Sequence, residues 1–235
     1  MEYFVVSDVH GYFKELTEAL EKAGFDESNE MHRVIVIGDM FDRGPDSLKV
    51  YEYLKKLKGL GKAVIVKGNH ELFILEVMDL NEKRMKFNID RNGFIYTLNS
   101  FCGEDVTGKS VEYVSALMKK NNPELESWIE ELPRYYETDN YLFVHAGFDP
   151  TIDWKTSDLK KMVWTKTREF RKLDLREHGI IKTVVHGHVS CRNLRDYDEV
   201  HGNDFSVYIS SDKQKIGIDG SVMKTGRINV FTFSE

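Results

Sequence analysis

The stretch that decides the fold is residues 34–45, VIVIGDMFDRGP, in which an apolar β-branched run, Val34 to Ile37, passes directly into a turn holding Gly38, Asp39, Asp42, Arg43 and Gly44. A continuous apolar run of this kind suits a strand buried on both faces, with the polar turn at its carboxyl end. The same phrase occurs on either side. Upstream, Phe4-Val5-Val6 runs into SDVHG at 7–11 and then into a helical pattern with Leu16, Ala19, Leu20 and Ala23. The central copy leads into a helix carrying Val50, Tyr51, Leu54 and Leu57. Downstream, Ala63 to Val66 leads to GNHE at 68–71 and then to Leu72, Leu75, Val77 and Met78. Short apolar strands alternating with helices predict βαβ units and a parallel sheet.

Outward from this core, residues 81–131 turn helical and polar, with Trp128 and Ile129 as core contacts. Strands resume at Tyr141 to Val144, ending in HAG, and at Ile180 to Val185, ending in HGH; two more are expected at Ile216 to Ile218 and Ile228 to Phe233. No Pro/Gly/Ser-rich linker divides the chain, which reads as one domain over 1–235. A composition of 41% hydrophobic and 31% charged residues excludes a disordered or low-complexity chain. The formal charge of −6 excludes a strongly basic nucleic-acid footprint. No apolar run approaches the about 18 residues of a membrane span, and the first residues carry no secretory pattern, so a cytoplasmic protein is expected. Cys102 and Cys191 lie far apart, without metal or redox spacing, and read as inert thiols.

The polar residues that end the apolar runs are Asp8, His10, Asp39, Asp42, Arg43, Asn69, His70, His145, His186 and His188. In an open α/β sheet the carboxyl edge of the strands is where ligands bind. Carboxylates, imidazoles and an amide without thiolates suit Mn²⁺, Fe or Zn²⁺ in an open site better than a closed structural zinc. Asp8 and His10, two apart on an extended segment, point the same way and can share one metal. Asn69, His145 and His188 can hold a second, with Asp39 bridging the pair. Any one of these residues alone would read as an ordinary turn or a hydrogen-bonded core histidine; their recurrence at successive strand ends gives the pattern its weight.

DVHG at 8–11, GDMFDRG at 38–44, GNHE at 68–71, HAG at 145–147 and GH at 187–188 resemble the signature blocks of the PPP family. These are metal-dependent Ser/Thr phosphoprotein phosphatases within the calcineurin-like metallophosphoesterase superfamily, and the spacing is closest to its compact bacterial and phage members. The resemblance implies an α/β (α+β) fold, a β-sandwich of two mixed sheets flanked by helices. It implies two divalent ions, Mn²⁺ by preference: one on Asp8, His10 and Asp39, the other on Asp39, Asn69, His145 and His188. A bridging hydroxide would attack phosphorus directly, without a phosphoenzyme. Arg43 would hold phosphate oxygens, His70 would be the general acid, and Asp42 would keep it oriented and protonated. WTKTR at 164–168 resembles the Trp-x-Arg phosphate segment of the family, so that Lys166 or Arg168 supplies the second phosphate contact. Ser7 stands where Gly is common, IDGS at 218–221 departs from the usual IDTG, and 189–215 is longer than in the phage members.

The leading expectation is therefore a phosphomonoesterase of Ser/Thr protein phosphatase type, acting on a phosphorylated protein or a small phosphoester. A dinucleoside polyphosphate hydrolase, for example of diadenosine tetraphosphate, or a nucleic-acid-end phosphatase with the same metals is the alternative. Symmetrical hydrolases of dinucleotides carry Gln where His10 stands, which argues against them. A partner-binding pseudoenzyme should have lost a ligand or the acid, and every one is present. His186 reads either as a support behind the ligands or as a structural histidine. Tyr12, Tyr96, Trp154, Tyr197, Arg91, Arg192 and Arg195 are candidate rim residues, and NGFIYTLNS at 92–100 resembles a rim segment of the bacterial members. With so few basic and aromatic residues interleaved, phosphopeptides are expected to be better substrates than diadenosine tetraphosphate.

Overall fold

The computed structural model describes residues 1–165 and 170–235. The three phrases form strands β1 (Glu2–Val6), β2 (His32–Ile37) and β3 (Ala63–Val66) in a four-stranded sheet with β2 between its two parallel neighbours. Val6 lies opposite Val36, and Ile37 opposite Val66, so the three polar turns leave this sheet side by side. The chain's last strand, β9 (Phe231–Ser234), joins β1 antiparallel and makes the sheet mixed. The second sheet has the order β4 (Tyr135–Glu137), β5 (Tyr141–Val144), β6 (Thr183–His186), β8 (Lys215–Gly217), β7 (Tyr208–Ile209), parallel at its centre and antiparallel at both edges.

Side-chain alternation shows how the sheets pack. Val5, Ile35, Ile37 and Val66 join Phe143, Val185, Ile216 and Ile218 in the core between the sheets. Their neighbours Phe4, Val6, Val34, Val36 and Ile65 point the other way, into a larger core under the helices. Both faces of the first sheet are thus buried, which is why its strands read as unbroken apolar runs. The architecture is the expected two mixed sheets flanked by helices.

The helices of that outer layer are α1 (Phe13–Lys22), α2 (Ser47–Gly59), α3 (Asn69–Met78), α4 (Glu82–Asn92), α5 (Phe94–Cys102), α6 (Val111–Asn121) and α7 (Leu125–Glu130). Residues 81–131 are helical as expected, cut into four pieces by local signals. Asn81 caps α4 through Arg84 N, Gly93 ends it in the left-handed conformation, and Ser110 caps α6 through Tyr113 N. Trp128 and Ile129 are buried, with the Trp128 ring 5.0 Å from that of Tyr51.

Two strands not expected from the sequence, β4 and β7, are short edge strands whose pairing comes from their neighbours rather than from apolar patterning. The buried face of α3 also differs from the expected one. The structure buries His70, Phe73, Ile74, Val77 and Met78 and leaves Leu72 and Leu75 half-buried, because the polar first turn must itself face inward. No helix among the described residues is long and apolar enough to cross a membrane.

Candidate metal centre

Each donor sits on the first residues past a strand: Asp8 and His10 after β1, Asp39 after β2, Asn69 and His70 opening α3 behind β3, His145 after β5, and His188 after β6. The turns are bent sharply. Asp8, His10, Asp39, Asp42, Arg43 and His188 all have positive φ, between 50 and 74°. Asp and His tolerate this region better than most residues, but each instance still costs on the order of 1 kcal/mol and needs surrounding structure to hold it.

That structure is a set of bonds between adjacent turns. Asp8 N donates to Gly38 O at 3.1 Å, His10 N to Asp39 O at 3.0 Å, and Gly44 N to His10 O at 2.8 Å. The buried Glu71 carboxylate accepts from Asp39 N at 3.0 Å, Met40 N at 2.8 Å and Gly68 N at 2.7 Å, tying the β2 turn to the β3 turn. The approach is too close for side chains. A Cβ on Gly38 would lie 2.6 Å from the Gly68 backbone at φ +73°, and one on Gly68 would lie 2.4 Å from Asp39 Oδ1.

Two groups of donors have their ligand atoms within 4.8 Å of one another: His10, Asp39 and His70, and Asp39, His145 and His188. Asp39 belongs to both. Its Oδ1 is 3.3 Å from His145 Nε2, and its Oδ2 is 3.6 Å from His70 Nε2 and 3.9 Å from His10 Nε2. Asp8 Oδ1 lies 4.0 Å from His10 Nε2, and Asn69 Oδ1 lies 3.0 Å from His145 Nε2. The six expected donors and His70 therefore converge, with His70 inside the first group rather than beside it.

The imidazoles are oriented for ligation. His10 Nδ1 donates to Phe41 O at 2.8 Å and His145 Nδ1 donates to Ile37 O at 2.8 Å, which turns both Nε2 atoms toward the centre. Burial, reinforced by His70, pulls His10 well below the ordinary histidine value; burial, reinforced by His145, pulls His188 to about 4. Both are neutral near pH 7, as ligands must be. Burial lowers His145 too, but Asp39 and Asp8 overcome it and push it up to about 10. Burial raises Asp39, yet His145 and His70 outweigh it and hold the carboxyl well below its usual range. A centre that draws positive charge this strongly, built from carboxylates, an amide and directed imidazoles, fits a pair of divalent ions.

Beside the donors lies a hydrogen-bonded chain of His70, Asp42 and Thr97. His70 Nδ1 donates to Asp42 Oδ2 at 2.5 Å, while Thr97 Oγ1 donates to Asp42 Oδ1 at 2.7 Å and accepts from Asp42 N at 2.8 Å. Burial works against the imidazolium of His70, but Asp39 and then Asp42 more than compensate, and its value is raised. Arg43 reaches between the two histidines, with Nη1 2.7 Å from His10 Nε2 and Nη2 3.5 Å from His70 Nε2.

Not every expectation lands here. Lys166 and Arg168 lie outside the described residues. His186 belongs to neither donor group: its Nδ1 donates to Gly187 O at 3.1 Å, and burial lowers it to about 4. Trp154 packs against Tyr135 and Phe148, and Tyr197 lies under Arg171. Arg195 is held by Ser206, Val207 and Asp204, and Arg192 by Gly202 and Asp196, so neither opens a cationic track. Glu71, Thr97, Asp219 and Trp164 are the contributors that the sequence reading left without a role. Burial raises Asp219, which lies close enough to raise Asp8 in turn. Thr97 falls inside the 92–100 rim segment, Glu71 ends the GNHE block, Trp164 opens WTKTR and Asp219 lies in IDGS, but only the structure shows what each side chain touches.

The chain matches the family described as calcineurin-like phosphoesterase over residues 1–210. Among curated proteins it is similar to the symmetrical bis(5'-nucleosyl)-tetraphosphatase of Photorhabdus laumondii, 29% identical over 68% of this chain and 49% of the relative. It thus spans about half the length of the curated relatives it matches. Two solved structures share the fold. One, provisionally identified as a diadenosine tetraphosphatase, has a TM-score of 0.64 at 19% identity, covering 99% of this chain and 89% of that one. The other, a protein serine/threonine phosphatase from Saccharomyces cerevisiae, has a TM-score of 0.59 at 16% identity, covering 100% and 80%. With its donor-bearing turns at the carboxyl ends of two packed sheets and a family match that covers most of its length, this chain belongs to the calcineurin-like phosphoesterase family.

Proposed function

We propose that this chain hydrolyses dinucleoside polyphosphates at a two-metal centre. The observation that carries the chemistry is one carboxylate, Asp39, shared by two donor groups beside an acid, His70, bonded to Asp42. Asp8, His10 and Asp39 would hold one divalent ion, and Asp39, Asn69, His145 and His188 the other, with Mn²⁺ the first to test. Such ions supply Lewis-acid charge for phosphoryl oxygens and lower the pKa of water. Arg43 forks onto the oxygens of the phosphoryl group under attack. Hydrolysis adds water across one P–O bond, and His70 hands its Nε2 proton to the departing oxygen while Asp42 holds Nδ1–H.

The substrate class is supported by the curated relatives at 28–30% identity, which are named as symmetrical tetraphosphatases. The phosphoprotein reading, of PPP type, takes second place and has one observation in its favour: His10 in DVHG, where symmetrical dinucleotide hydrolases carry Gln. A panel of Mn²⁺-loaded assays decides between them. Diadenosine tetraphosphate should be turned over with a kcat/KM at least about tenfold above that of a phosphoseryl peptide, about 1.4 kcal/mol in the transition state. The reverse order would install the phosphoprotein reading. Product analysis refines the answer, since two ADP mean symmetrical cleavage and ATP plus AMP mean asymmetrical cleavage.

A further inference from the structure

Two aromatic side chains that the hydrolytic chemistry does not use stand open beside the centre. Trp164 closes the helix Leu159–Trp164, which packs against α3. Its indole lies 6.2 Å from the ring of buried Phe73 and meets the His188 ring at 90° and 5.8 Å, yet the residue remains 41% exposed. It is fixed by its neighbours and still open to solvent. Tyr96 is 52% exposed near the start of α5. That helix follows Gly93, whose carbonyl accepts from both Arg43 N and Tyr96 N at 3.3 Å, so the tyrosine is anchored to the Arg43 corner. Tyr12 belongs to the same corner: after burial and Glu15, both Arg43 and Tyr96 are close enough to act on its hydroxyl. One open aromatic therefore adjoins His188, and the other is tied through its backbone to the turn that carries Arg43.

This arrangement matches a ligand with an anionic middle and a flat ring at each end. Stacking on an aromatic side chain needs only the π-face that every base has, and it requires no cationic track. A phosphoseryl or phosphothreonyl side chain offers nothing for either ring to stack on. We propose that Trp164 and Tyr96 are the two base-stacking platforms of the centre, one for each nucleoside of a dinucleoside polyphosphate whose phosphate chain crosses the donor groups between them. The assignment rests on the function proposed above and adds the residues that recognise the substrate's ends.

The test compares Trp164→Ala and Tyr96→Ala, loaded with Mn²⁺, on diadenosine tetraphosphate and on inorganic tripolyphosphate, which has no base. Each substitution should lower the ratio of kcat/KM for the dinucleotide to that for tripolyphosphate by about tenfold, mainly through KM. Trp164→Phe, which keeps a stacking face, should recover most of the loss. Tyr113→Ala, an exposed position on α6 bonded to Glu104, should leave the ratio unchanged. AMP alone should quench tryptophan fluorescence in the unsubstituted protein and not in Trp164→Ala. Good turnover of the dinucleotide with unchanged ratios in both alanine variants would overturn the platforms and leave the proposed function standing. No turnover of the dinucleotide, with AMP quenching intact and dependent on Trp164, would overturn that function and keep the Trp164 platform. Absence of both turnover and quenching would remove both.

Discussion

His70 shows how the surroundings of one side chain fix its orientation. Its Nδ1 is committed to Asp42 at 2.5 Å, and Asp42 is fixed in turn by Thr97, so Nε2 is directed toward the donor groups. His70→Asn and Asp42→Asn should each lower kcat by about 10²–10⁴-fold, the range for a positioned acid. The double variant should lose little more than the worse single one, because the two act as a unit. The loss in His70→Asn should be larger on phosphoserine than on p-nitrophenyl phosphate, whose phenolate leaves without a proton. The pH profile carries a sign. An acid works only while protonated, and the carboxylates raise His70 above its ordinary 6.5, so kcat should fall as pH rises through that raised value. Removing the Asp42 charge should move this alkaline limb to lower pH. A limb that stays in place would contradict the role of Asp42 in keeping His70 protonated.

The turns after β2 and β3 are the elements on which the centre depends. Their donors are legible in the sequence because the chemistry needs particular side chains, and those side chains interrupt apolar runs at the same point each time. What binds the turns together is not legible. Glu71 looks like any glutamate in the first turn of a helix, and only the packed structure shows it accepting three backbone N–H groups. Trp164 is legible as the first residue of WTKTR, but its exposure beside His188 is seen only in the structure. The edge strands β4 and β7 escape notice because pairing, not patterning, makes them. The same close packing yields a prediction. A Cβ on Gly68 would sit 2.4 Å from Asp39 Oδ1, whereas one on Gly59, at the end of α2, would meet nothing within 4 Å. Gly68→Ala should therefore destabilise by about 1–3 kcal/mol and weaken metal retention. Gly59→Ala should be neutral or stabilising by up to about 1 kcal/mol. Thermal unfolding paired with elemental analysis reads both; equal behaviour of the two variants would contradict the close approach of the turns.

At the scale of the whole molecule, two sheets bring turns from distant parts of the chain to one point: Asp8 and His188 are joined through the His188 N–H, which donates to the Asp8 carboxylate at 3.1 Å. Neither sheet alone presents a complete donor set. The first brings Asp8, His10, Asp39, Asn69 and His70, the second brings His145 and His188, and Asp39 is the group on which both halves meet. In the proposed function this shared carboxylate organises a two-ion hydrolytic centre. It is tested most directly by measuring metal content and turnover together, in the unsubstituted protein and in Asp39→Asn. Two divalent ions per chain are expected, with loss of turnover on chelation, recovery with Mn²⁺, and loss of both ions and of turnover in Asp39→Asn. A metal-free preparation that remains fully active, or an Asp39→Asn protein that keeps both ions and full turnover, would contradict it.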